Sequence, residues 1–346
     1  MVWASPSAVR TLAVGQNSVI FPFRRGLRAL HRGGKNDRIE SLARAPRIEQ
    51  AAKSRKSMND MRFEAPDTID GAVALLAGAH GEAWVLAGGT DLLVQLRAEM
   101  IAPELVVDLK RIPELRSIAA EDGGFRIGAA VSGAELNEHP DVKTLWPGVV
   151  EAMELIGSTQ IQGRASLGGN LCNASPAADS VPAMIAAGAV ARVAGPGGLR
   201  EVPVEEIAIA PGKTSLAKGE IVVSVLLPAR PARSGDAYLR FIPRTEMDIA
   251  VVGAGVSLTF DESGVCSAAR VSLGAVAARA LLVPEAAAAL VGTKLDAAAL
   301  ERLAEAASGA CRPIDDKRGT KEYRIKVAGV LARRAALIAA ERAGQT

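Results

Sequence analysis

Hydrophobic and polar positions alternate along the chain in a pattern that predicts three blocks of strands and helices after Met61. In the first block, a helix is predicted over residues 68–77, with Thr68 or Asp70 as its N-cap. The apolar run 84–87 predicts a short buried strand that leads into a glycine pair. A helical turn at 91–97 and a strand at 104–108 complete a β-loop-α-β unit.

The second block combines short strands with helices, and the third places a strand pair before helices. In the second block, strands are predicted at 125–130, 189–194 and 221–227, helices at 133–138, 149–156 and 179–187, and a loop at 166–170. A linker at 228–235 follows. The third block has strands at 249–260 and 265–274 and Ala-rich helices at 284–290, 296–308 and 321–342. The small aliphatic composition and this order favour an α/β or α+β protein with domains at 58–114, 115–230 and 235–343, of which the third is a separate α+β domain.

Charge sets the first 57 residues apart, because they are rich in Lys and Arg and poor in carboxylates. A targeting segment or a nucleic-acid arm is one interpretation, but the segment lacks a continuous apolar region and interleaved aromatics. We therefore expect 1–57 to be a disordered extension, or the true start to be Met58 or Met61, and we expect no nucleic-acid partner. No run reaches the ~20 apolar residues of a membrane span, so none is predicted.

Cysteine and histidine are sparse, and neither shows the spacing of a metal site. Cys172, Cys266 and Cys311 are far apart, and the histidines form no ligand pair, so no protein-held metal is expected. Unpaired thiols favour a reducing compartment, and the cytoplasm is the simplest. No nucleophile and base stand together, so no catalytic residue is assigned. These features indicate a cofactor carrier in which the chemistry belongs to the bound molecule.

Two glycine pairs, Gly88-Gly89 and Gly168-Gly169, are the strongest candidates for binding a diphosphate. Glycine lets the backbone approach a ligand closely and permits positive φ, and short polar side chains flank both pairs. A helix that begins near Asp91 would direct its positive end toward the phosphates. Each pair alone is more often a turn than a site.

Two other glycine motifs are rejected. The run 251–255 starts like a Rossmann fingerprint, but Leu258 stands where the third glycine belongs and the segment continues as a strand. Gly212-Lys213-Thr214 ends like a P-loop, but Ile207 stands where its first glycine belongs. We interpret the first as a core strand and the second as a surface turn.

Four segments together resemble the FAD-binding medium subunits of the xanthine dehydrogenase and carbon monoxide dehydrogenase family, which are molybdenum hydroxylases. They are WVLAGGTDLLVQLR from Trp84, GSTQIQGRASLGGNLCNASPAADSVPA from Gly157, GEIVVSVLLP from Gly219 and YLRFIPRTEMDIAVVGAGVSL from Tyr238. The resemblance covers residues 61–342 and implies a bipartite FAD-binding fold of the vanillyl-alcohol-oxidase (PCMH) type, followed by a C-terminal α+β flavoprotein domain. Thr90-Asp91 and Ser166-Leu167 depart from the commonest family pattern, which leaves the subgroup open.

The resemblance also implies which residues contact FAD. They are Val85, Leu86, Ala87, Gly88, Gly89, Thr90, Asp91, Leu92, Ser166, Leu167, Gly168, Gly169, Asn170, Asp179, Ile221 and Arg240. Asp179 would contact the ribityl or adenosine side, and Arg240 would lie near the flavin pyrimidine edge. Alternatives stay open: Asp179 as a helix cap, Arg240 as a solvated surface charge, and Ile221 as a core residue.

The implied function is electron transfer within a complex. A large subunit would hold the molybdenum cofactor, a small subunit would hold two [2Fe–2S] clusters, and FAD in this chain would pass electrons to NAD⁺ or another acceptor. A dimer of heterotrimers is expected. The alternatives are a self-contained FAD-dependent reductase of the same fold and a non-enzymatic nucleotide-binding module.

Overall fold

A computed structural model describes residues 61–344, so the predictions for 1–57 lie outside the described residues. The first group of elements is β1 (Arg62–Glu64), α1 (Ile69–Gly78), β2 (Ala83–Leu86), α2 (Leu92–Arg97) and β3 (Leu105–Asp108). The three strands form a parallel sheet in the order β1-β3-β2. Because consecutive strand residues point to opposite faces, Val107 packs with α1 while Val106 packs with α2.

Helix α1 shows how local sequence and burial act together. Its N-cap Thr68 accepts a hydrogen bond from Gly71 N at 3.1 Å, which satisfies one of the unpaired amides of the first turn. Ala72, Val73 and Leu76 repeat at helical spacing and are buried. The helix is therefore fixed at its start by the cap and along its length by one apolar face.

The second group centres on an antiparallel five-stranded sheet with the order β4-β5-β10-β6-β7. Its strands, with the small β8–β9 pair, are β4 (Ile118–Glu121), β5 (Gly124–Gly128), β6 (Val190–Gly195), β7 (Gly198–Pro203), β8 (Ala208–Ala210), β9 (Lys213–Thr214) and β10 (Ile221–Leu227). Its helices are α3 (Gly133–Glu138), α4 (Pro140–Leu145), α5 (Pro147–Glu154), α6 (Thr159–Gln162), α7 (Leu167–Cys172) and α8 (Ser180–Ala187). Short 3-10 turns lie at Pro113–Arg116 and Val204–Glu206. Strand β10 is the central strand, and its apolar run is buried almost throughout because the sheet is covered on both faces there.

The third group is a four-stranded antiparallel sheet in the order β11-β12-β13-β14. Its elements are β11 (Ser234–Phe241), β12 (Val252–Phe260), β13 (Cys266–Gly274), β14 (Leu281–Leu282), α9 (Pro284–Ala288), α10 (Ala297–Ala310) and α11 (Lys321–Arg342). Helix α11 packs closely because the side it buries is mostly alanine, and α8 contacts the same sheet. Between residues 61 and 344, no helix has both the length and the apolar character of a membrane span.

Some predictions for local structure were wrong. The strand predicted at 84–87 was expected to be buried, but β2 is only partly buried and Val85 is 37% exposed. Residues 166–170 are not a loop, since α7 begins at Leu167 and contains both glycines. Neither Gly168 nor Gly169 has positive φ, whereas Gly89 has φ of 79°. The predicted linker at 228–235 also ends earlier, because β11 starts at Ser234. Ser234 and Gly235 belong to the sheet because they pair with β12, and strand propensity alone does not indicate this pairing.

An ionic cluster joins the second and third groups at Asp236. Asp236 is buried, and its Oδ2 accepts from Gly148 N at 2.9 Å at the start of α5. Arg230 Nη1 lies 3.0 Å from Asp236 Oδ1, and Arg342 donates to Asp236 O at 2.8 Å. Burial raises the pKa of Asp236 to about 6, although Arg230 acts in the opposite direction. Desolvation is therefore the larger effect at this carboxyl.

This shift predicts how pH changes stability. The folded-state pKa lies above the ordinary 3.8, so the carboxyl's contribution to stability is complete below about pH 4 and is lost as pH rises through about 6. Relative to Asp236→Asn, the wild type should lose on the order of 2–3 kcal/mol of unfolding free energy between pH 4 and 7. Urea denaturation of both proteins measures this. If the unfolding free energy of the wild type relative to Asp236→Asn stays constant or rises from pH 4 to 7, the raised pKa of Asp236 is contradicted.

Candidate functional site: a cavity between two glycine segments

The two glycine segments meet at one cavity of about 290 Å³. A Cβ built on Gly88 would lie 1.9 Å from Arg164 O, so only glycine allows the first segment to approach the backbone that precedes the second. The predicted residues that line the cavity are Val85, Ala87, Gly88, Gly89, Thr90, Asp91, Leu92, Ser166, Gly168, Gly169, Asn170 and Ile221. The fold thus brings together two segments about eighty residues apart.

Two residues inside these segments do not line the cavity. Leu86 is buried in the cluster formed with α2. Leu167 is 1% exposed and belongs to the core beneath the five-stranded sheet. Both hold their segments against the interior, which leaves the neighbouring glycines to face the cavity.

The first segment turns from β2 into α2 at Gly89. Its positive φ of 79° is a conformation that side chains disfavour. Leu93 N donates to Gly89 O at 3.0 Å, which closes the first helical turn. Lys110 Nζ donates to Ala87 O at 3.0 Å and to Asp108 Oδ1 at 2.7 Å. Lys110, which the sequence did not single out, therefore fixes this turn against the end of β3.

The second segment is the first turn of α7. Ser166 Oγ accepts from Gly169 N at 3.1 Å and caps the helix. Asn170 Oδ1 accepts from Ser180 Oγ at 2.7 Å and from Ser180 N at 3.2 Å, so the amide oxygen ties α7 to α8. A Cβ on Gly168 would lie 2.6 Å from Ala129 Cβ, so this glycine allows α7 to pack tightly beside β5.

Asp91 lies on the cavity wall at the start of α2, but its carboxylate makes no cap hydrogen bond. Burial raises its pKa above the ordinary value, because desolvation disfavours the charged form. The position at the helix start and the proximity to both glycine segments are compatible with a bound diphosphate.

Ile221 combines two roles that the sequence treated as alternatives. It is 2% exposed and packs in the core with α1. It also lines the cavity at the beginning of β10. The side chain is therefore a core residue that contributes an apolar wall.

Asp179 and Arg240 do not line the cavity but form a buried cluster with Tyr238. Tyr238 Oη donates to Asp179 Oδ1 at 2.9 Å, and Arg240 Nη1 donates to Asp179 Oδ2 at 2.9 Å. Burial raises the pKa of Asp179 to about 6, which Arg240 and Tyr238 partly offset. Asp179 makes no side-chain cap for α8, and the Arg240 side chain is 5% exposed. Both simpler alternatives, a helix cap and a solvated charge, were therefore wrong.

Several cavity residues were not assigned from the sequence. They include Gln95, Cys172, Asn173, Thr214, Leu216 and Glu220. Desolvation raises the pKa of the Cys172 thiol to about 12, so it is held as the neutral thiol. Thr214 belongs to the rejected P-loop resemblance, and its place on the cavity wall corrects the interpretation as a surface turn only. No local signal points to Thr214, because the fold alone brings it to the cavity.

The other rejected motif is a strand, as predicted. Residues Gly253 and Gly255 lie in β12. Added Cβ atoms would meet Tyr238 Oη at 2.5 Å and Pro182 O at 2.6 Å, respectively. These glycines allow β12 to approach a β11 side chain and α8, and they lie within a strand and not in a strand-to-helix turn of the Rossmann type.

Two glycine segments that border one cavity, followed by a sheet covered with helices, match the two-part arrangement that the motif resemblance implies. Residues 59–230 match the family model described as the FAD binding domain in molybdopterin dehydrogenase. Residues 237–339 match the CO dehydrogenase flavoprotein C-terminal domain.

Individual proteins give the same result. The chain is 33% identical to the carbon monoxide dehydrogenase medium chain of Hydrogenophaga pseudoflava, over 79% of this chain and 96% of that protein. It is 32% identical to the xanthine dehydrogenase FAD-binding subunit of Escherichia coli O157:H7, over 75% and 88%. The solved structure of reconstituted CO dehydrogenase from Oligotropha carboxidovorans aligns with a TM-score of 0.78 and 34% identity, over 82% and 98%.

The chain belongs to the FAD-binding medium subunits of the xanthine dehydrogenase and carbon monoxide dehydrogenase family. It is therefore an oxidoreductase flavoprotein subunit whose cofactor is FAD, and the resemblance stated from its motifs is confirmed. The mixed α+β fold with a C-terminal flavoprotein domain is confirmed as well.

Proposed function

We propose that this chain carries electrons through FAD between the [2Fe–2S] clusters of a small partner subunit and NAD⁺ or another acceptor. Substrate oxidation would take place at a molybdenum cofactor in a large partner subunit. The observation that carries the proposal is the convergence of two glycine segments on one cavity, in a chain that belongs to this family. When bound, FAD supplies the electron-accepting and electron-donating chemistry.

The backbone of the two glycine segments would bind the diphosphate. The first N–H groups of a helix have no carbonyl partner within that helix, and both α2 and α7 begin at the cavity. Glycines at 88, 89, 168 and 169 remove side chains from this surface. Thr90 also lines this surface, while Ser166 is buried and its hydroxyl caps α7. Apart from the Asp91 carboxyl, these groups fit an anion held by neutral donors.

Around the diphosphate, the wall changes from polar to apolar. Ile221 and Val85 would contact an uncharged part of the cofactor, since both line the same cavity. The cavity is small for a whole dinucleotide, so FAD would extend beyond it along the surface. Leu86 and Leu167 would act through their neighbours, because each points into the core.

Asp179 and Arg240 are proposed to lie beside the part of FAD that extends from the cavity. Support comes from the link between Asn170 on the cavity wall and Ser180, the residue next to Asp179. The ion pair with Asp179 would position Arg240, whose positive charge suits an electron-rich flavin ring. Tyr238 would hold Asp179 from the opposite side.

We further propose a cytoplasmic dimer of heterotrimers. Cys172, Cys266 and Cys311 are free thiols in the structure, which suits a reducing compartment. The large subunit would supply the molybdenum cofactor, and the small subunit would supply the [2Fe–2S] clusters. Residues 61–344 of this chain contain no cluster of three His, Cys, Asp or Glu side chains suited to a metal.

Purification of the native complex tests the proposal. We expect this chain to copurify with two other chains and with FAD, molybdenum and iron in fixed ratios. Reduction by substrate should bleach the flavin absorbance, and added NAD⁺ should restore it if NAD⁺ is the acceptor. A chain that purifies alone with FAD and turns over a reductant at full rate would instead favour the self-contained reductase. A chain without flavin would refute both.

A further inference from the structure

A second cavity, of about 570 Å³, lies at the opposite end of β10 from the FAD site. Ile221 at the start of β10 lines the first cavity, whereas Trp146 Nε1 near the second donates at 2.9 Å to Pro228 O, just after the strand. A seven-residue strand is about 20 Å long. The second cavity is therefore separate from the glycine segments.

Arg230 forms part of the wall of this second cavity, and its side chain is 9% exposed. Its Nη1 donates to Leu145 O and lies 3.0 Å from Asp236 Oδ1. The guanidinium carbon lies 5.1 Å from the centre of the Trp146 ring. Its two other nitrogens, Nε and Nη2, are buried without a hydrogen-bond partner. An unpaired buried donor is costly, so these nitrogens call for an acceptor.

Two other arginines in this chain show which kind of acceptor binds the Nε and Nη2 atoms of a guanidinium. Arg126 Nε and Nη2 bind the two carboxylate oxygens of Glu121 at 2.5 and 2.6 Å. Arg200 Nε and Nη2 bind the two oxygens of Glu220 at 2.8 Å each. A planar carboxylate matches this pair of parallel donors. Arg230 has the same pair of donors beside the cavity, but both nitrogens are buried, and the neighbouring Asp236 carboxylate is paired with Nη1 rather than with them.

The other groups at the cavity restrict the charge of a ligand. Asp236 offsets Arg230, and Glu151 pairs with Arg342 through both carboxylate oxygens. Asp141 is exposed at the cavity, so these groups comprise three carboxylates and two guanidinium groups, and each negative charge on a ligand weakens its binding. A singly charged acid therefore fits better than a dianion such as phosphate.

Apolar groups occupy the remaining wall. Phe125, Leu145 and Pro147 line the cavity beside Thr144 and Ser234. A ligand with an uncharged ring or chain would bury apolar surface against the first three while its carboxylate contacts Arg230.

We propose that this second cavity binds a small organic monocarboxylate, whose two oxygens accept hydrogen bonds from Nε and Nη2 of Arg230. Because both nitrogens are buried, binding includes a turn of the guanidinium from the wall into the cavity. That movement changes the environment of the Trp146 indole, over which the guanidinium lies. The site does not depend on FAD.

Benzoate is a suitable probe, and benzyl alcohol is its uncharged control. Titration of the full chain, saturated with FAD, by calorimetry and by tryptophan fluorescence should show one saturable benzoate site per chain. Inorganic phosphate should bind at least tenfold more weakly, and benzyl alcohol should not saturate. Arg230→Lys keeps the charge but removes the paired donors, so it should weaken benzoate binding at least tenfold. Arg333→Lys, on the exposed side of α11, should leave it unchanged.

Thr144→Phe provides an independent variant, because residue 144 is exposed at the cavity and the change adds bulk without touching Arg230. Benzoate binding should be lost in this variant even if Arg230→Lys does not fold. Absence of saturable binding to the wild type would overturn the proposal. So would benzoate affinity that Thr144→Phe leaves unchanged, or phosphate binding as tight as that of benzoate. None of these results bears on whether FAD binds.

Discussion

Gly169→Val should weaken FAD binding at least tenfold, which corresponds to about 1.4 kcal/mol or more. A Cβ on Gly169 would lie 3.0 Å from Ser166 Oγ and 3.9 Å from Ala87 Cβ, between the two glycine segments. The valine methyl groups would extend from that point into the space where the backbone approaches the diphosphate. Gly169→Ala should have a smaller effect in the same direction. Flavin fluorescence quenching during titration of the flavin-free chain measures both affinities.

Gly78→Val is the matched control for this change. Gly78 ends α1, it is exposed, and an added Cβ would meet nothing within 4 Å. Its affinity for FAD should equal that of the wild type, and thermal unfolding of each flavin-free variant shows whether the fold is retained. A folded Gly169→Val protein with unchanged FAD affinity would show that the cofactor diphosphate lies elsewhere.

Asp179→Ala should lower the free energy of unfolding by about 3–5 kcal/mol, because it breaks a buried ion pair from one side. The change would leave Arg240 buried without its carboxylate, and Tyr238 Oη would lose its acceptor. Asp179→Asn keeps an oxygen that can accept from Tyr238 and should cost less than half as much. Urea denaturation at pH 7 measures the three proteins.

An exposed ion pair serves as the comparison. Lys143 Nζ lies 3.2 Å from Glu154 Oε1, and both side chains are at least 41% exposed. Glu154→Ala should therefore cost less than about 1 kcal/mol. If Asp179→Ala costs no more than Glu154→Ala, the cluster does not stabilise the fold, and a direct cofactor contact becomes its main role.

Much of the fold could be predicted because local patterns and burial agree. The helix predicted at 133–138 is found at Gly133–Glu138, where Ser132 and Glu135 form a full capping box. The strand at Ile221–Leu227 and the helix at Lys321–Arg342 also have their predicted bounds. In these elements, the periodicity, the capping residues and the breakers all indicate the same structure.

Local patterns failed where a partner elsewhere in the chain decides the structure. Helix α7 contains two glycines, which local propensity disfavours, yet the Ser166 cap and the close packing of Gly168 on Ala129 allow the helix. Ser234 and Gly235 looked like linker residues, but hydrogen bonding to β12 makes them strand. The structure of these residues depends on contacts with residues far away in the chain, which a local stretch of sequence does not include.

The two glycine pairs were recognised as candidate phosphate contacts from the amino-acid sequence alone, and the order of four motifs indicated the family. Only the tertiary structure showed that both pairs border one cavity, that Asp179 and Arg240 bind each other, and that Thr214 reaches the cavity wall. The reason is physical: residue type determines which hydrogen bonds and close approaches a position allows. Which groups meet across long stretches of chain is decided by the packing of sheets and helices around a shared core.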